Sequence, residues 1–120
     1  MNDLQIKIKE RILAAQSILI TSHVRPDGDA IGSQLALYHY LASKGINAEM
    51  LSPNNLQEFI KWMDGAEKIN IFIRDRKKCK KLIEDADLIV MFDFNHSDRL
   101  GEAEEYVVKS KAKKVIIDHH

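Results

Sequence analysis

Apolar residues recur along the chain at two spacings, one typical of helices and one typical of buried strands. Leu4, Ile8 and Ile12 are four residues apart, which predicts a helix over residues 3–15 with Asp3 as its cap. The apolar run at residues 18–20 predicts a strand over residues 17–22. The same change of spacing repeats as far as residue 117, so helices and strands are predicted to alternate along the chain.

The later elements follow from the same patterns. Further helices are predicted over residues 30–44, 56–63, 75–85 and 98–109, and further strands over residues 46–52, 69–73, 88–93 and 115–117. Gly45 is placed to end the second helix. Because mostly apolar strands alternate with helices, the sequence predicts an α/β fold. We expect a doubly wound, mainly parallel five-stranded sheet with helices on both faces.

Length and composition limit the class of protein. The 120 residues fit one domain and are 45% hydrophobic. Eighteen basic and 18 acidic residues give no net charge, so there is no overall attraction to nucleic acid or to a membrane. No apolar run approaches the ~18 residues of a membrane span. Cys79 is the only cysteine, which suits the reducing cytoplasm, and we expect it to be a lone surface thiol.

Residues able to bind metals follow three of the predicted strands. These residues are His23, Asp27 and Asp29 after the first strand, Asp93 at the end of the fourth, and Asp118, His119 and His120 after the fifth. Ligands of open parallel sheets bind at the carboxyl ends of the strands, so we expect these side chains to converge. Carboxylate and imidazole ligands without a thiolate favour Mn2+ or Mg2+ over structural zinc.

Simpler interpretations exist for each residue alone. Asp27 or Asp29 could cap the following helix, and Pro26 before Asp27 is ordinary turn chemistry. Asp93 could fix a loop, and the final histidines could be a disordered terminus. Capping requires one carboxylate and no histidine, however, so the combination favours a cation site. Gly28 and Gly32 could admit a phosphate, but a tight turn and close helix–strand packing is the favoured interpretation.

Three segments resemble the motifs of the DHH phosphoesterases. HVRPDGDAIGS at residues 23–33 resembles the first, MFDFN at residues 91–95 the second, and IIDHH at residues 116–120 the third. FIKWMDG at residues 59–65 and SDRLG at residues 97–101 are similar to segments of the bifunctional oligoribonuclease and pAp phosphatase branch. The resemblance covers nearly the whole chain. It implies a Rossmann-like DHH domain that hydrolyses phosphoester bonds of short oligoribonucleotides or pAp.

The resemblance also implies a centre of two Mn2+ ions, which Mg2+ could replace. His23 and Asp27 would hold one ion, Asp29 and His119 would hold the second, and Asp93 would bridge the two. Two metal ions about 3.5–4 Å apart can polarise a phosphoryl oxygen and generate a nucleophile.

Asp93, Asp118 and His120 are the catalytic residues that the resemblance implies. His120 would face the phosphate, and Asp118 would orient the histidine pair. Arg25 and Arg99 are candidate substrate-binding residues, because guanidinium groups match phosphate geometry, although either could simply be solvated.

Members of the family carry a further metal-binding aspartate and a C-terminal substrate-binding domain that residues 1–120 lack. We therefore expect these residues to be the N-terminal part of a DHH domain. The partners implied are a short RNA or a nucleotide, a second copy in the full-length relative, and no membrane. The alternative is a non-catalytic fragment that binds nucleotide or metal. A dinucleotide-binding fold is disfavoured, because residues 28–33 do not match G-x-G-x-x-G.

Two basic clusters and two aromatic residues are also candidates for contact with a nucleic acid. The first cluster, at residues 74–81, is interpreted as a solvated helix face, and contact with a nucleic-acid backbone is the alternative. The second, at residues 109–114, is expected at the opposite edge of the sheet with no catalytic part. Core packing is favoured over base stacking for Phe59 and Trp62.

Overall fold

The computed structural model describes residues 3–22, 28–92 and 101–117, with the backbone alone at residues 5 and 28–30. These ranges contain five strands, four α-helices and short 3-10 segments, one of which, at residues 101–103, leads into the last helix. In chain order they are α1 (Asp3–Ala14), β1 (Ile18–Ser22), α2 (Gly28–Ser43), β2 (Ala48–Ser52), the 3-10 helices Glu58–Trp62 and Ala66–Lys68, β3 (Ile69–Ile71), α3 (Arg76–Asp85), β4 (Leu88–Phe92), α4 (Glu104–Lys109) and β5 (Lys113–Ile117).

The strands form one sheet in the order β3-β2-β1-β4-β5, and every neighbouring pair is parallel. From the central β1 the chain moves outward to β2 and β3, and then crosses to β4 and β5 on the other side. The predicted doubly wound parallel sheet is therefore confirmed.

Each face of the sheet is covered by its own apolar cluster. Ile31, Leu35 and Leu41 of α2 are buried against one face. Ile83 of α3 and Val107 of α4 are buried against the other. Because each such side chain contributes roughly 1.5–3 kcal/mol on burial, the two clusters hold helices on both faces, as the sequence predicted.

The apolar stripe predicted for α1 is only partly buried. Leu4 and Leu13 are 66% and 48% exposed, whereas Ile12 packs against the cluster under α2. Helix α2 connects two strands of the sheet, β1 and β2, whereas α1 leads into β1 and packs through Ile12. Helical spacing predicted both helices correctly, but it did not determine how deeply each is buried.

Two helix ends follow from local sequence. Gly45 has a φ of +74°, and its N–H donates to the carbonyl of Ala42 while Ile46 donates to that of Leu41. This left-handed ending confirms the predicted role of Gly45. At the start of α3, the carboxylate of Asp75 accepts a hydrogen bond from the N–H of Lys78 at 3.1 Å.

Asp87 joins the amino ends of three strands. Its carboxylate accepts hydrogen bonds from the N–H groups of Gln16 and Ser17, at 2.9 and 3.0 Å. Its own N–H donates to the carbonyl of Ser17, and its carbonyl accepts from the N–H of Lys113. One residue therefore connects the starts of β1, β4 and β5.

Several predicted elements differ in length or type. The helix predicted over residues 56–63 is a 3-10 helix, in which Ile60 and Met63 donate to carbonyls three residues earlier. Strand β5 begins two residues earlier than predicted, because an edge strand tolerates exposed lysines such as Lys113. Strands β2 and β3 are shorter than predicted, and the α-helical part of α4 begins at Glu104.

Of the helices in the described ranges, none is both long and apolar enough to cross a membrane.

Candidate active site

The carboxyl ends of β1, β4 and β5 lie side by side. Ser22 pairs with Phe92, and Phe92 pairs with Ile117. Neighbouring strands are about 4.8 Å apart, so the three strand ends fall within about 10 Å. The next residues in sequence, at positions 23, 93 and 118, belong to the three predicted motifs. The sheet therefore brings the points from which the three motifs continue to one place.

This row of strand ends coincides with the switch in strand order. Strand β1 is followed by β2 on one side, while β4 lies on its other side. Helix α2 also begins at this edge, because it connects β1 to β2. In open α/β sheets, ligands bind in the crevice at such a switch point. The edge between β1 and β4 is therefore the candidate active site.

Most of the predicted site residues lie outside the described ranges. They are His23, Arg25, Asp27, Asp93, Arg99, Asp118, His119 and His120. The backbone of Asp29 lies in the first turn of α2, but its side chain is not described. Across residues 3–22, 28–92 and 101–117, no three His, Cys, Asp or Glu side chains are grouped as metal ligands. The assigned metal and catalytic roles therefore remain predictions.

Two buried polar side chains lie close to this edge. Both Ser22 and Gln34 are fully buried. The Nε2 atom of Gln34 donates to the carbonyls of Ile20 and Leu51, at 2.8 and 3.2 Å, which fixes the orientation of the amide. Within the described part of the chain, Ser22 Oγ and Gln34 Oε1 have no hydrogen-bond partner. A buried polar atom that has no partner at all costs about 1–3 kcal/mol.

The predicted donor set fits a hydrated divalent cation. Carboxylate oxygens and imidazole nitrogens suit Mn2+. The unmatched hydroxyl of Ser22, at the last residue of β1, adds a polar group that can hydrogen bond to a water at the same strand end. Sequence reasoning missed Gln34. The available signal was its polar side chain three residues after Ile31, within the apolar stripe of α2.

Helix α3 begins at the same edge. The N–H of Asp75 donates to the carbonyl of Ile71, so α3 starts directly beyond β3. Arg76 joins Glu102 through two hydrogen bonds, at 2.7 Å from Nε and 3.0 Å from Nη2. This ion pair connects the first turn of α3 to the residues that lead into α4. Lys80 lies 4.8 Å from the centre of the Tyr106 ring, at the same helix–helix contact.

The ion pair changes the pKa values of both partners. The hydrogen bond from Arg76 lowers the pKa of Glu102, and the same hydrogen bond raises the pKa of Arg76. Both side chains are about half exposed, so solvent screens their attraction and the pair contributes little to stability.

The prediction that Cys79 is a surface thiol is wrong. Cys79 is fully buried in the cluster that also contains Phe72 and Ile83. Burial is the main cause that raises the pKa of its thiol. Cys79 and Ile83 are four residues apart, so they share the inward face of α3 and leave the lysines outside.

The prediction that Phe59 and Trp62 pack in the core is also wrong. Their exposed fractions are 61% and 89%, whereas Ile60 is fully buried. In a 3-10 helix, residues three apart lie on the same side. Phe59 and Trp62 therefore share the outer side of the Glu58–Trp62 helix.

Comparisons with known proteins support the family resemblance of the three motifs. The family model for the N-terminal domain of the DHH family matches residues 17–120. The bifunctional oligoribonuclease and PAP phosphatase NrnA of Mycoplasma genitalium is 32% identical over 107 residues, covering 86% of this chain and 30% of the relative. The protein of the same name from Mycoplasma pneumoniae is 26% identical over 110 residues, covering 91% of this chain and 32% of the relative.

A solved structure shares the fold. The crystal structure of an exopolyphosphatase-related protein from Bacteroides fragilis matches 96% of this chain with a TM-score of 0.91 and 41% identity. The match covers 34% of that protein, so this chain spans about a third of the length of its relatives. The family match, the parallel sheet and the three strand ends agree, and the chain belongs to the DHH family of phosphoesterases.

Proposed function

We propose that this chain is the N-terminal module of an Mn2+-dependent phosphoesterase that acts on short oligoribonucleotides or pAp. The observation that carries the proposal is the row of adjacent strand ends at Ser22, Phe92 and Ile117, from which the three motifs continue. The substrate class comes from the names of the two NrnA relatives. The cytoplasm is the proposed compartment, because the lone Cys79 forms no intramolecular disulfide.

Five side chains would hold the metal ions. His23, Asp27, Asp29, Asp93 and His119 are the proposed ligands, with Asp93 shared between two Mn2+ ions. When bound, the ions supply positive charge to the phosphoryl oxygens and an activated water as nucleophile. The position of β4 between β1 and β5 supports a shared role for a ligand that follows β4.

The remaining residues would bind and orient the phosphate. His120 would donate a ring N–H to a phosphate oxygen, and Asp118 would accept a hydrogen bond from the histidine pair, which would fix the ring tautomer. Arg25 and Arg99 would donate to the non-reacting phosphate oxygens. Such contacts would hold the phosphorus where an in-line attack can occur.

Calorimetric titration with Mn2+ tests the metal centre without a substrate. We expect two Mn2+ sites in this chain, and we expect Asp93→Asn to weaken both. Metal-dependent release of phosphate from pAp, or of mononucleotide from a short oligoribonucleotide, then tests the reaction. A single site that Asp93→Asn leaves unchanged would contradict the bridged centre.

A non-catalytic role is the second candidate, and the length comparison favours it. The chain spans 30% and 32% of the two NrnA relatives, so groups that act on the substrate in those proteins can lie beyond the matched part. Binding of both Mn2+ and pAp without hydrolysis would support this role. Turnover of either substrate would exclude it.

A further inference from the structure

We propose that the start of α3 binds the sugar-phosphate backbone of an oligonucleotide, with Arg74, Lys77 and Lys78 as the phosphate contacts. This inference deepens the proposed function and rests on it, because it concerns the part of the substrate that extends away from the cleaved bond.

The surface is strongly cationic in a chain with no net charge. Residues 74–81 contain six lysines and arginines and one acid. All of them are exposed except Cys79. The other residues must therefore be acidic overall, since the whole chain has a formal charge of zero. Such a local concentration of positive charge is typical of surfaces that bind a phosphate backbone.

Three of the six cations are not engaged by other described residues. Arg76 is bound to Glu102, Lys81 is 3.2 Å from Asp85, and Lys80 lies over a tyrosine ring. By contrast, the side chains of Arg74, Lys77 and Lys78 form no ion pair with any residue in the ranges that the structure describes. These three are therefore available to an anionic partner.

The order of charges within α3 does not stabilise the helix. Its first turn contains basic residues and no acid, and its last turn contains Glu84 and Asp85 but no basic residue. The helix dipole favours the opposite arrangement at both ends. The Asp75 carboxylate before the first turn already supplies the acid that the dipole favours, so the basic residues of the turn are not needed for helix stability, and contact with an anion would account for them.

The distance to the candidate active site limits the length of the ligand. Ile71, at the end of β3, pairs with Ser52, and the preceding Leu51 pairs with Thr21 of β1. The ends of β3 and β1 are thus two strand spacings apart, or about 10 Å. A stacked strand advances about 3.4 Å per nucleotide, so α3 lies about three nucleotides from the proposed metal centre. The basic surface should therefore contact longer oligonucleotides and should not contact pAp.

A second lysine cluster provides a matched control. Lys111 and Lys113 are exposed, as Lys77 and Lys78 are, but they lie at the amino edge of β5. Lys77→Glu with Lys78→Glu and Lys111→Glu with Lys113→Glu change the net charge equally. The first pair places acids where the helix dipole favours them, so the variant should fold. Circular dichroism checks the fold of both variants.

The closing experiment measures binding of a labelled hexaribonucleotide by fluorescence anisotropy in EDTA, where hydrolysis cannot interfere. We expect the α3 variant to bind at least about tenfold more weakly, with a salt slope lower by about 1.4, and the control to bind as the original chain does. Equal losses in both variants, or no binding by the original chain, would overturn the inference.

Hydrolysis distinguishes this inference from the proposed function. If the original chain binds the hexaribonucleotide through α3 but calorimetry finds no Mn2+ site in it, the inference stands and the proposed function fails. If the chain hydrolyses both substrates and the α3 variant has an unchanged KM for the hexaribonucleotide, the function stands and the inference fails.

Discussion

Two aspartates bracket β4, and the two edges of the sheet differ around them. At the amino edge, the carboxylate of Asp87 accepts two backbone hydrogen bonds and joins three strands. At the carboxyl edge, Asp93 follows Phe92 in a motif proposed to bind metal. The same residue type thus stabilises one end of a parallel strand and is proposed to bind a ligand at the other.

Several features near the carboxyl edge cost stability. Ser22 Oγ and Gln34 Oε1 are buried without hydrogen-bond partners among the described residues. Gly32 lies inside α2, where glycine is unfavourable, and the first turn of α3 carries basic residues. Functional sites commonly break local rules in this way. The comparison teaches that the amino edge holds the fold together, while the carboxyl edge tolerates unfavourable groups that a ligand can use.

The largest expected effect is that of Asp93→Asn on metal binding. We expect Mn2+ affinity to fall by at least ~100-fold, since changing even an outer-shell partner costs 10–100-fold. Without metal, the free energy of unfolding should stay within about 0.5 kcal/mol, as for substitutions away from the core. Calorimetry and urea denaturation measure the two quantities. Unchanged Mn2+ affinity would remove the proposed difference between the edges.

The opposite result is expected for Asp87→Ala. Two backbone N–H groups lose a charged acceptor, so the free energy of unfolding should fall by about 1 kcal/mol, a modest value because the site is exposed. Mn2+ affinity should not change. Urea denaturation and calorimetry check both statements, and a loss of Mn2+ binding as large as that of Asp93→Asn would break the comparison.

A stabilising substitution is expected at Gly32. A Cβ atom there would lie 3.6 Å from Cε of Met63, its nearest contact among the described residues, which is an ordinary van der Waals distance. Gly32→Ala should raise the free energy of unfolding by about 0.5–1 kcal/mol, because alanine favours the helix. Thermal and urea denaturation measure the gain. A destabilised variant would show that the surroundings of Gly32 cannot accommodate a Cβ atom.

The smallest effect should come from Glu102→Gln. Arg76 holds the pKa of Glu102 below its ordinary value of 4.5. Its contribution to stability is therefore present above that value and disappears as the pH falls through the lowered pKa. The urea midpoint of the variant should lie slightly below that of the original chain at pH 7, and the difference should shrink as the pH falls below 4.5 towards the lowered pKa. Equal midpoints throughout this pH range would show that solvent screening removes the contribution of the Arg76–Glu102 ion pair to stability.

The sequence predicted the sheet well because apolar runs mark strands that are buried on both faces. Strands β1 and β4 are buried throughout, and both were predicted with nearly correct ends. The edge strand β5 was predicted short, since its exposed lysines give no apolar signal. In the Glu58–Trp62 helix, Ile60 is buried while Phe59 and Trp62 are exposed, so apolar character alone did not predict which side of this helix is buried.

The structure tests the edge of the sheet at which the candidate site was predicted, but most of its predicted side chains lie outside the described residues. The three motifs follow β1, β4 and β5, and parallel topology brings those strand ends together. The Arg76–Glu102 pair could not be foreseen, because long side chains join residues 26 positions apart. The two hydrogen bonds of Gln34 to neighbouring strands likewise depend on the register of the sheet.

The strand order also determines when the proposed site can form. The central β1 pairs on one side with β4, and Ser17 and Asp87, at the starts of these strands, are 70 residues apart. Pairing over such long separations is slow, and an unpaired strand is prone to aggregate in the meantime. During synthesis, one edge of β1 stays unpaired until β4 has been made. We therefore expect the strand ends that would hold the metal ions to meet late in folding, too late for the ions to influence its early steps.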